Sequence, residues 1–310
     1  MERLRPLWES LYTEGQSTIF QSFEWNLLAA RTFSSREEPF VISVEASYGA
    51  AIIPAVIRRS DQTVRLMGEE LFDYRGFLHD GEDEVLRAGL ATLAQVEHPL
   101  EVVAMRECDR LAAFEDLQLV PFAAAPSVNC AEITAEKFSA EHNRLGRNLR
   151  RFERMGFEIR SYNGENSELL RSIYQRKAAQ EPSSLFHDRC RMDFIVDAAR
   201  RLPASCEIFT LECESKMTAA LITFRDDTYR RFYTCWFDAE FSKLSPSMVL
   251  IHEITRRSLL ESIHCDYMTG EQGYKLRLAT SSMPLYRLQA TPEQLAALSE
   301  AVQPALPLAG

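Results

Sequence analysis

Ser245, Pro246 and Ser247 stand between a strand-like segment and an amphipathic helix, and this junction is the part of the sequence best suited to bind a ligand. The strand-like run is YRRFYTCWF (229–237), and the helix is MVLIHEITRRSLLESI (248–263). A helix that begins just after a strand presents unpaired backbone N–H groups and the positive end of its dipole. Such an end can hold a pyrophosphate. Either serine could cap the helix, with Pro246 in the entry turn, and an ordinary capped helix without a ligand explains the same residues.

The familiar catalytic and metal-binding motifs are missing from the sequence. It contains no GxxxxGK[ST], no GxGxxG after a strand, no HExxH and no GxSxG. The 6 histidines are scattered, and no two cysteines have the spacing of zinc ligands. We interpret the cysteines as small buried residues of a reducing compartment, and we expect neither a disulfide nor a metal. They are Cys108, Cys130, Cys190, Cys206, Cys213, Cys235 and Cys265.

Length and composition indicate a globular protein with a substantial core. The chain has 310 residues, of which 46% are apolar and 26% charged, and this excludes disorder as the main state. The longest nearly apolar run, 48–57, is too short to span a membrane. The start MERLRPLWES does not resemble a secretory signal, so we expect a cytoplasmic protein. The net charge of −10 argues against a general nucleic-acid binder.

The elements around this junction follow from hydrophobic periodicity. Three apolar runs, 207–214, 218–224 and 229–237, are separated by short polar turns and predict an antiparallel meander. Upstream, the segment 142–156 predicts a helix with leucines on one face and Arg144, Arg147, Arg151 and Arg154 on another. Gly156 is placed to end that helix. The arginine face is either a solvated surface or an anion site.

Near the N-terminus, the runs 40–46 and 50–59 are joined by a short polar turn and predict a hairpin. Pro54 lies inside the second run, so we expect an edge position or a bulge there.

The segment from Phe237 to Ala279 resembles the C-terminal signature of the CelD/BioF-like acetyltransferases, a branch of the GNAT superfamily. The matching positions are Tyr233, Asp238, Ser245-Pro246, Asp266-Tyr267, Gly270, Glu271, Tyr274 and Lys275. Upstream, Gly68 to Gly76 resembles the family's "G…DY.G" element, and helix 142–156 resembles its arginine-rich central helix. The order and spacing of these motifs carry the resemblance over about residues 20–290.

The resemblance implies an α/β fold of two GNAT-like halves, each a mixed, mainly antiparallel sheet flanked by helices. We place the N-terminal half at 1–130 and the C-terminal acyltransferase half at 131–310. The implied function is an N-acyltransferase that moves an acyl group from acyl-CoA, as co-substrate, to an amine of a small-molecule, saccharide or amino-acid acceptor. Direct attack by the amine needs a proton acceptor and no metal.

The resemblance also implies roles for individual residues. Glu271 would accept the amine proton, Tyr274 would protonate the leaving thiolate, and Lys275 would neutralise an acid group of a ligand. The donor's pyrophosphate would lie on the start of the helix, and the first half would supply acceptor contacts facing the loop 266–275. The implied pyrophosphate contacts are Ser245, Ser247, Met248 and Val249, and the implied acceptor contacts are Asp73, Tyr74 and Asp266. Each of these residues also has a purely structural interpretation, as a loop carboxylate, a half-buried strand tyrosine, a surface salt bridge or a turn.

Two departures from the family pattern keep alternatives open. The family's glycine after Ser-Pro is Ser247 here, and the glycine before its "DF" strand is replaced around Ser262. One alternative is a Fem-like aminoacyltransferase that uses aminoacyl-tRNA, for which the arginine helix could supply a local basic surface. Another is a catalytically silent protein that interacts in polysaccharide or lipid biosynthesis. The acyl chain, the acceptor and the oligomeric state are not determined by the sequence.

Overall fold

The fold is seen in a computed structural model that describes residues 1–14, 17–68, 70–80, 83–106, 114, 116–214 and 216–299. Contacts group these residues into two compact units. One unit combines 1–123 with the segment from Pro284 onward, and the other is Ala124–Met283. Cys108 lies outside the described residues.

Helices and strands alternate along both units, as expected for an α/β protein. The α-helices are α1 Arg5–Glu14, α2 Phe23–Thr32, α3 Asp83–Leu93, α4 Ala135–Glu141, α5 Asn143–Arg154, α6 Ser167–Gln180, α7 Arg189–Arg201, α8 Pro246–Leu260, α9 Gly273–Leu278 and α10 Pro292–Ala297. The strands are β1 Glu37–Ala46, β2 Gly49–Arg58, β3 Thr63–Leu66, β4 Leu78–His79, β5 Leu100–Arg106, β6 Gln118–Val128, β7 Glu158–Asn163, β8 Cys206–Cys213, β9 Lys216–Arg225, β10 Tyr229–Phe237, β11 His264–Asp266 and β12 Ser281–Ala290.

The second unit is built on the predicted meander. Strands β7, β8, β9 and β10 pair antiparallel in sequence order, which confirms the meander. β11 then pairs parallel with β10 and antiparallel with the end of β6. A parallel neighbour requires a crossover, and here α8 is that crossover.

The core of the second unit lies between the meander and helices α4, α5 and α8. Phe138 of α4, Phe152 of α5 and Ile254 of α8 form one cluster with Phe209 and Leu221 of the sheet. The apolar spacing of α5 therefore faces the core as predicted. Gly156 follows α5 with a φ of 82°, the left-handed conformation that ends a helix, which confirms its predicted role.

The first unit is organised around the predicted hairpin. β1 and β2 pair antiparallel over their whole length, β2 also pairs with β3 and β4, and β3 runs parallel to β5. The expected edge position of Pro54 is wrong, because β2 has neighbours on both sides. Pro54 is tolerated since it falls where the β4 ladder (51–52) has ended and the β3 ladder (55–58) begins.

The last described strand belongs to the first unit rather than to the second. Leu285 and residues after it in β12 pair antiparallel with β5. The two units therefore differ from a linear division into 1–130 and 131–310. The reason is that β12 pairs with β5 and is grouped with the unit that contains β5. Such a return of the C-terminal segment has no signal in hydrophobic periodicity.

Each unit combines a mixed sheet with flanking helices, which agrees with the expected α/β fold of two halves. In the described part of the chain, no helix is long and apolar enough to cross a membrane.

Candidate functional site

The parallel strands β10 and β11 pair only at their beginnings and then separate. Their ladder joins Tyr229 to His264 and ends at Arg231 and Asp266. After Asp266 the chain follows β6, since the N–H of Tyr267 donates to the carbonyl of Pro126. β10 continues to Phe237 and pairs only with β9. Among the described residues, the edge of β10 over 232–237 therefore has no strand partner on the β11 side. We call the space along this edge the β10 slot.

The direction of the backbone groups identifies which hydrogen-bonding atoms of β10 face the slot. Asp238 N–H donates to Thr218 on β9, so backbone groups of alternate residues, Cys235 and Phe237, point away from β9. A register shift between Phe232 and Thr234 marks a bulge at Tyr233, just where the slot opens.

Two side chains of α6 reach the free edge of β10. Gln180 Nε2 donates to the carbonyl of Phe237 at 2.9 Å, and Lys177 Nζ lies 3.5 Å from the carbonyl of Cys235. Lys177 is also ion-paired with Glu181 at 2.8 Å. These residues therefore occupy the acceptors that an amide-containing ligand in the slot would use.

The helix α8 begins beyond the C-terminal end of β10. Ser245 takes the N-cap position with φ 52° and ψ 57°, a left-handed conformation, and its side chain makes no capping bond. Pro246 has no N–H, and the N–H of Val249 donates to the carbonyl of Ser245 at 3.0 Å. Within the described residues, the N–H groups of Ser247 and Met248 have no hydrogen bond. Of the four residues assigned to a pyrophosphate, these two offer free donors.

The turn before α8 is held from the core side. Asn148 of α5 is 6% exposed, and its Nδ2 donates to the carbonyl of Leu244 at 3.0 Å. This hydrogen bond fixes the position at which α8 starts.

Tyr274 lies beside the slot in α9, which corrects the expectation that it belongs to a strand. Burial, and then the neighbouring Cys235 thiol, raise the pKa of Tyr274. Burial likewise raises the pKa of Cys235, while the Lys177 ammonium lowers it. The Tyr274 phenol therefore stays protonated at neutral pH and can donate a hydrogen bond or a proton.

Lys275 is buried, so its interpretation as a surface salt bridge is wrong. It is 7% exposed, and its Nζ donates to the carbonyls of Thr269 at 2.8 Å and Met268 at 3.2 Å. Met268 has a φ of 65° and Gly270 a φ of 104°, so Lys275 binds a loop with two left-handed residues. Its ammonium holds the loop that leads from β11 to α9.

Asp266 closes the start of the same loop. Its Oδ1 accepts the N–H of Met268 at 2.8 Å, and its Oδ2 lies 3.8 Å from Nε of Arg231. Glu271 lies at the loop's exposed tip. A proton passed to Glu271 would be released to solvent.

The two first-unit residues differ in exposure. Asp73 is half-buried, whereas Tyr74 is 1% exposed and packs edge-on against Phe20 at 6.1 Å. The ring of Tyr74 therefore has no surface for an acceptor in this conformation.

The two departures from the family pattern have different structural contexts. Ser247 lies in the first turn of α8 with ordinary helical backbone, so a glycine is not needed there for conformation. Ser262 has a φ of 58° at the end of α8, a position that favours glycine. Tyr267 stands where the family's "DF" has a phenylalanine, and its hydroxyl lies 2.9 Å from Oγ1 of Thr255.

Sequence reasoning missed Cys235, Lys177 and Gln180. The signal for Lys177 and Glu181 was their i, i+4 spacing at the end of α6. The part of the chain that the structure describes has no group of three or more His, Cys, Asp or Glu able to hold a metal, and its six cysteines are free thiols.

Residues 139–276 match the acetyltransferase (GNAT) domain. This span includes the β10 slot, the start of α8, and α9 up to Leu276. No curated protein sequence matches the chain at a significant level. The CelD/BioF-like branch is not established by these comparisons.

Several solved structures share the fold of nearly the whole chain. FemX has a TM-score of 0.68 at 9% identity, covering 96% of this chain and 98% of its own. L-PGS from Bacillus licheniformis has a TM-score of 0.61 at 12% identity, covering 96% of both chains. A tandem GNAT protein from the clavulanic acid biosynthesis pathway has a TM-score of 0.50 at 10% identity, covering 94% of this chain and 95% of its own. At these identities the likeness concerns the fold alone.

Proposed function

We propose that the protein is an N-acyltransferase that takes its acyl group from acyl-CoA and passes it to an amine. The observation that carries the proposal is the β10 slot, a strand edge that is contacted by side chains rather than by another strand and that leads to the start of α8. A thioester donor of this kind has an amide-containing arm and a pyrophosphate. The slot offers backbone groups for the arm, and α8 offers N–H groups for the pyrophosphate.

The amide arm would bind by adding to the free edge of β10. Its amide groups match the backbone groups of Cys235 and Phe237, as an added strand would. Gln180 already donates to Phe237, so the arm would share or displace that hydrogen bond. The pyrophosphate would bind the N–H groups of Ser247 and Met248 at the positive end of the α8 dipole.

Tyr274 would act at the thioester end. In this reaction the amine nitrogen bonds to the acyl carbon, the carbon–sulfur bond breaks, and the leaving thiolate needs a proton. The raised pKa keeps Tyr274 protonated at neutral pH, so it would stabilise the leaving thiolate by donating a hydrogen bond, and it would give up its proton only as a weak acid. Glu271, directly or through a water, would take the proton that the amine loses.

The acceptor side rests on proposals for single residues. Asp266 in the second unit would bind the acceptor amine, and Asp73 in the first unit is a separate proposal for an acceptor contact. Lys275 would act mainly by holding the loop 268–270, and Tyr74 would act as a packing residue. We place the protein in the cytoplasm, where acyl-CoA is available.

Calorimetric titration with CoA, acetyl-CoA and longer acyl-CoAs tests the proposal. We expect saturable binding with a stoichiometry of about one per chain, and release of free CoA thiol when an amine acceptor is supplied. No binding of any of these thioesters would refute acyl-CoA as donor. In that case, acyl transfer from aminoacyl-tRNA would support the Fem-like alternative, and no transfer from either donor would support a silent interaction protein.

A further inference from the structure

Five arginines extend from one side of α5 into solvent. They are Arg144, Arg147, Arg150, Arg151 and Arg154, and all five side chains are exposed. Among the residues that the structure describes, none of them is ion-paired with a carboxylate. A single hydrogen bond joins two of them through the backbone, from Arg154 Nε to the carbonyl of Arg150 at 3.2 Å. We call this set the arginine strip.

The strip is narrow and straight. At about 100° per residue, the five positions fall within an arc of about 120°. The leucines and Phe152 of α5 point to the other side, into the core. From Arg144 to Arg154 the strip is about 15 Å long at 1.5 Å per residue. Glu153, the one acidic residue of α5, lies outside the arc.

The positively charged side chains of the strip repel each other. Arg147 has arginines three and four positions later, and Arg150 has one four positions later. Each such like-charge pair costs about 0.2–0.5 kcal/mol in a helix. The chain as a whole carries −10, so the strip is not part of a general positive surface.

Two exposed arginines of α7 in the second unit behave differently. Arg200 is paired with Asp197 at 3.1 Å, and Arg189 with Asp193 at 3.6 Å. The strip therefore stands out as a row of cations that only an external anion can neutralise.

We propose that the arginine strip binds a single-stranded nucleic acid through its phosphodiester backbone. Guanidinium groups match phosphate geometry better than ammonium groups, and the strip contains no lysine. A linear polyanion can follow a strip one helix wide. A flat anionic bilayer would contact a much wider surface than the strip on a chain whose net charge is −10, and the apolar side of α5 is buried in the core and cannot insert. The proposal is independent of the proposed acyltransferase function.

Fluorescence anisotropy with a labelled 20-nucleotide oligouridine tests the proposal between 50 and 200 mM salt. With about four or five phosphates neutralised, log K should fall with log[salt] at a slope of about −3. Arg147→Ala should reduce that slope by about 0.7, and Arg147→Glu with Arg151→Glu should abolish binding. The control pair Arg189→Ala with Arg200→Ala removes two charges elsewhere and should bind as the unaltered protein does.

Several results would overturn the strip as a nucleic-acid site. These are equal binding by the charge-reversed variant, a salt slope near zero, or binding to phosphatidylglycerol vesicles with none to the oligonucleotide. Far-UV circular dichroism verifies that the variants fold. Calorimetry with CoA on the charge-reversed variant keeps the two proposals apart, because we expect its donor binding to be unchanged.

Discussion

His252 on α8 is a buried histidine whose replacement should make the protein less sensitive to acid. It is 2% exposed, its ring stacks on Phe138 at 5.3 Å, and within the described residues neither ring nitrogen has a hydrogen-bond partner. Burial lowers the pKa of His252 to about 4, Glu253 opposes this, and His142 and Arg256 add to it. His142 also faces Glu141.

The expected loss of stability at low pH follows from the difference in the pKa of His252 between the folded and the unfolded state. With a pKa of about 4 in the folded protein and 6.5 in the unfolded chain, the unfolded chain binds the proton first as the pH falls. Stability is therefore lost as the pH falls below 6.5, and the loss is complete below about 4. At 1.36 kcal/mol per pKa unit this amounts to about 3 kcal/mol in full, and about 2 kcal/mol between pH 7 and pH 5.

Urea unfolding at pH 7 and pH 5, compared between the protein and His252→Leu, measures this contribution. We expect the unaltered protein to lose about 2 kcal/mol more than the variant over this range. His187→Asn, which removes an exposed histidine, is the matched control and should keep the full loss. An equal loss in the His252→Leu protein would show that His252 does not remain neutral in the folded state.

Four further changes have outcomes set by the structure. Ser262→Gly relieves a left-handed backbone at φ 58° and should raise the free energy of unfolding by about 1 kcal/mol, whereas Ser242→Gly should not; equal effects would contradict the strain. Tyr274→Phe should lower turnover about 10²-fold without a change in melting temperature, and full activity would remove Tyr274 from the chemistry. Lys275→Met leaves the carbonyls of Met268 and Thr269 without their ammonium and should cost about 1–3 kcal/mol in denaturant unfolding; an unchanged stability would refute its role in the loop. Gln180→Ala frees the carbonyl of Phe237 and should tighten CoA binding a few-fold by calorimetry, while weaker binding would mean that Gln180 contacts the donor instead.

The elements that carry the site were predictable where periodicity is strong. The meander and α5 were predicted from apolar spacing and from Gly156, because both bury one face against a common core. The position of Ser247 and Met248 at a helix start also followed from sequence, since a strand, a proline and an apolar run stand in that order.

The remaining features of the site depend on contacts between distant residues. Gln180 meets Phe237 across 57 positions of the chain, and no local pattern encodes that meeting. The short helix α9 was missed because its six residues, with Lys275 and Leu278 buried, are too few to show a helical period. Pro54 was misplaced because tolerance of a proline inside a sheet depends on where two neighbouring ladders end and begin.

The most direct test of the proposed donor site is calorimetry with acetyl-CoA on Ser247→Asp. A carboxylate in the first turn of α8 favours the helix by about 0.3–1 kcal/mol but repels a pyrophosphate at the same N–H groups. Ser167→Asp places the same charge at the start of α6 and is the matched control. The account predicts that Ser247→Asp is at least as stable as the unaltered protein and has lost acetyl-CoA binding, while Ser167→Asp binds normally. Undiminished binding by Ser247→Asp would contradict the placement of the donor on α8.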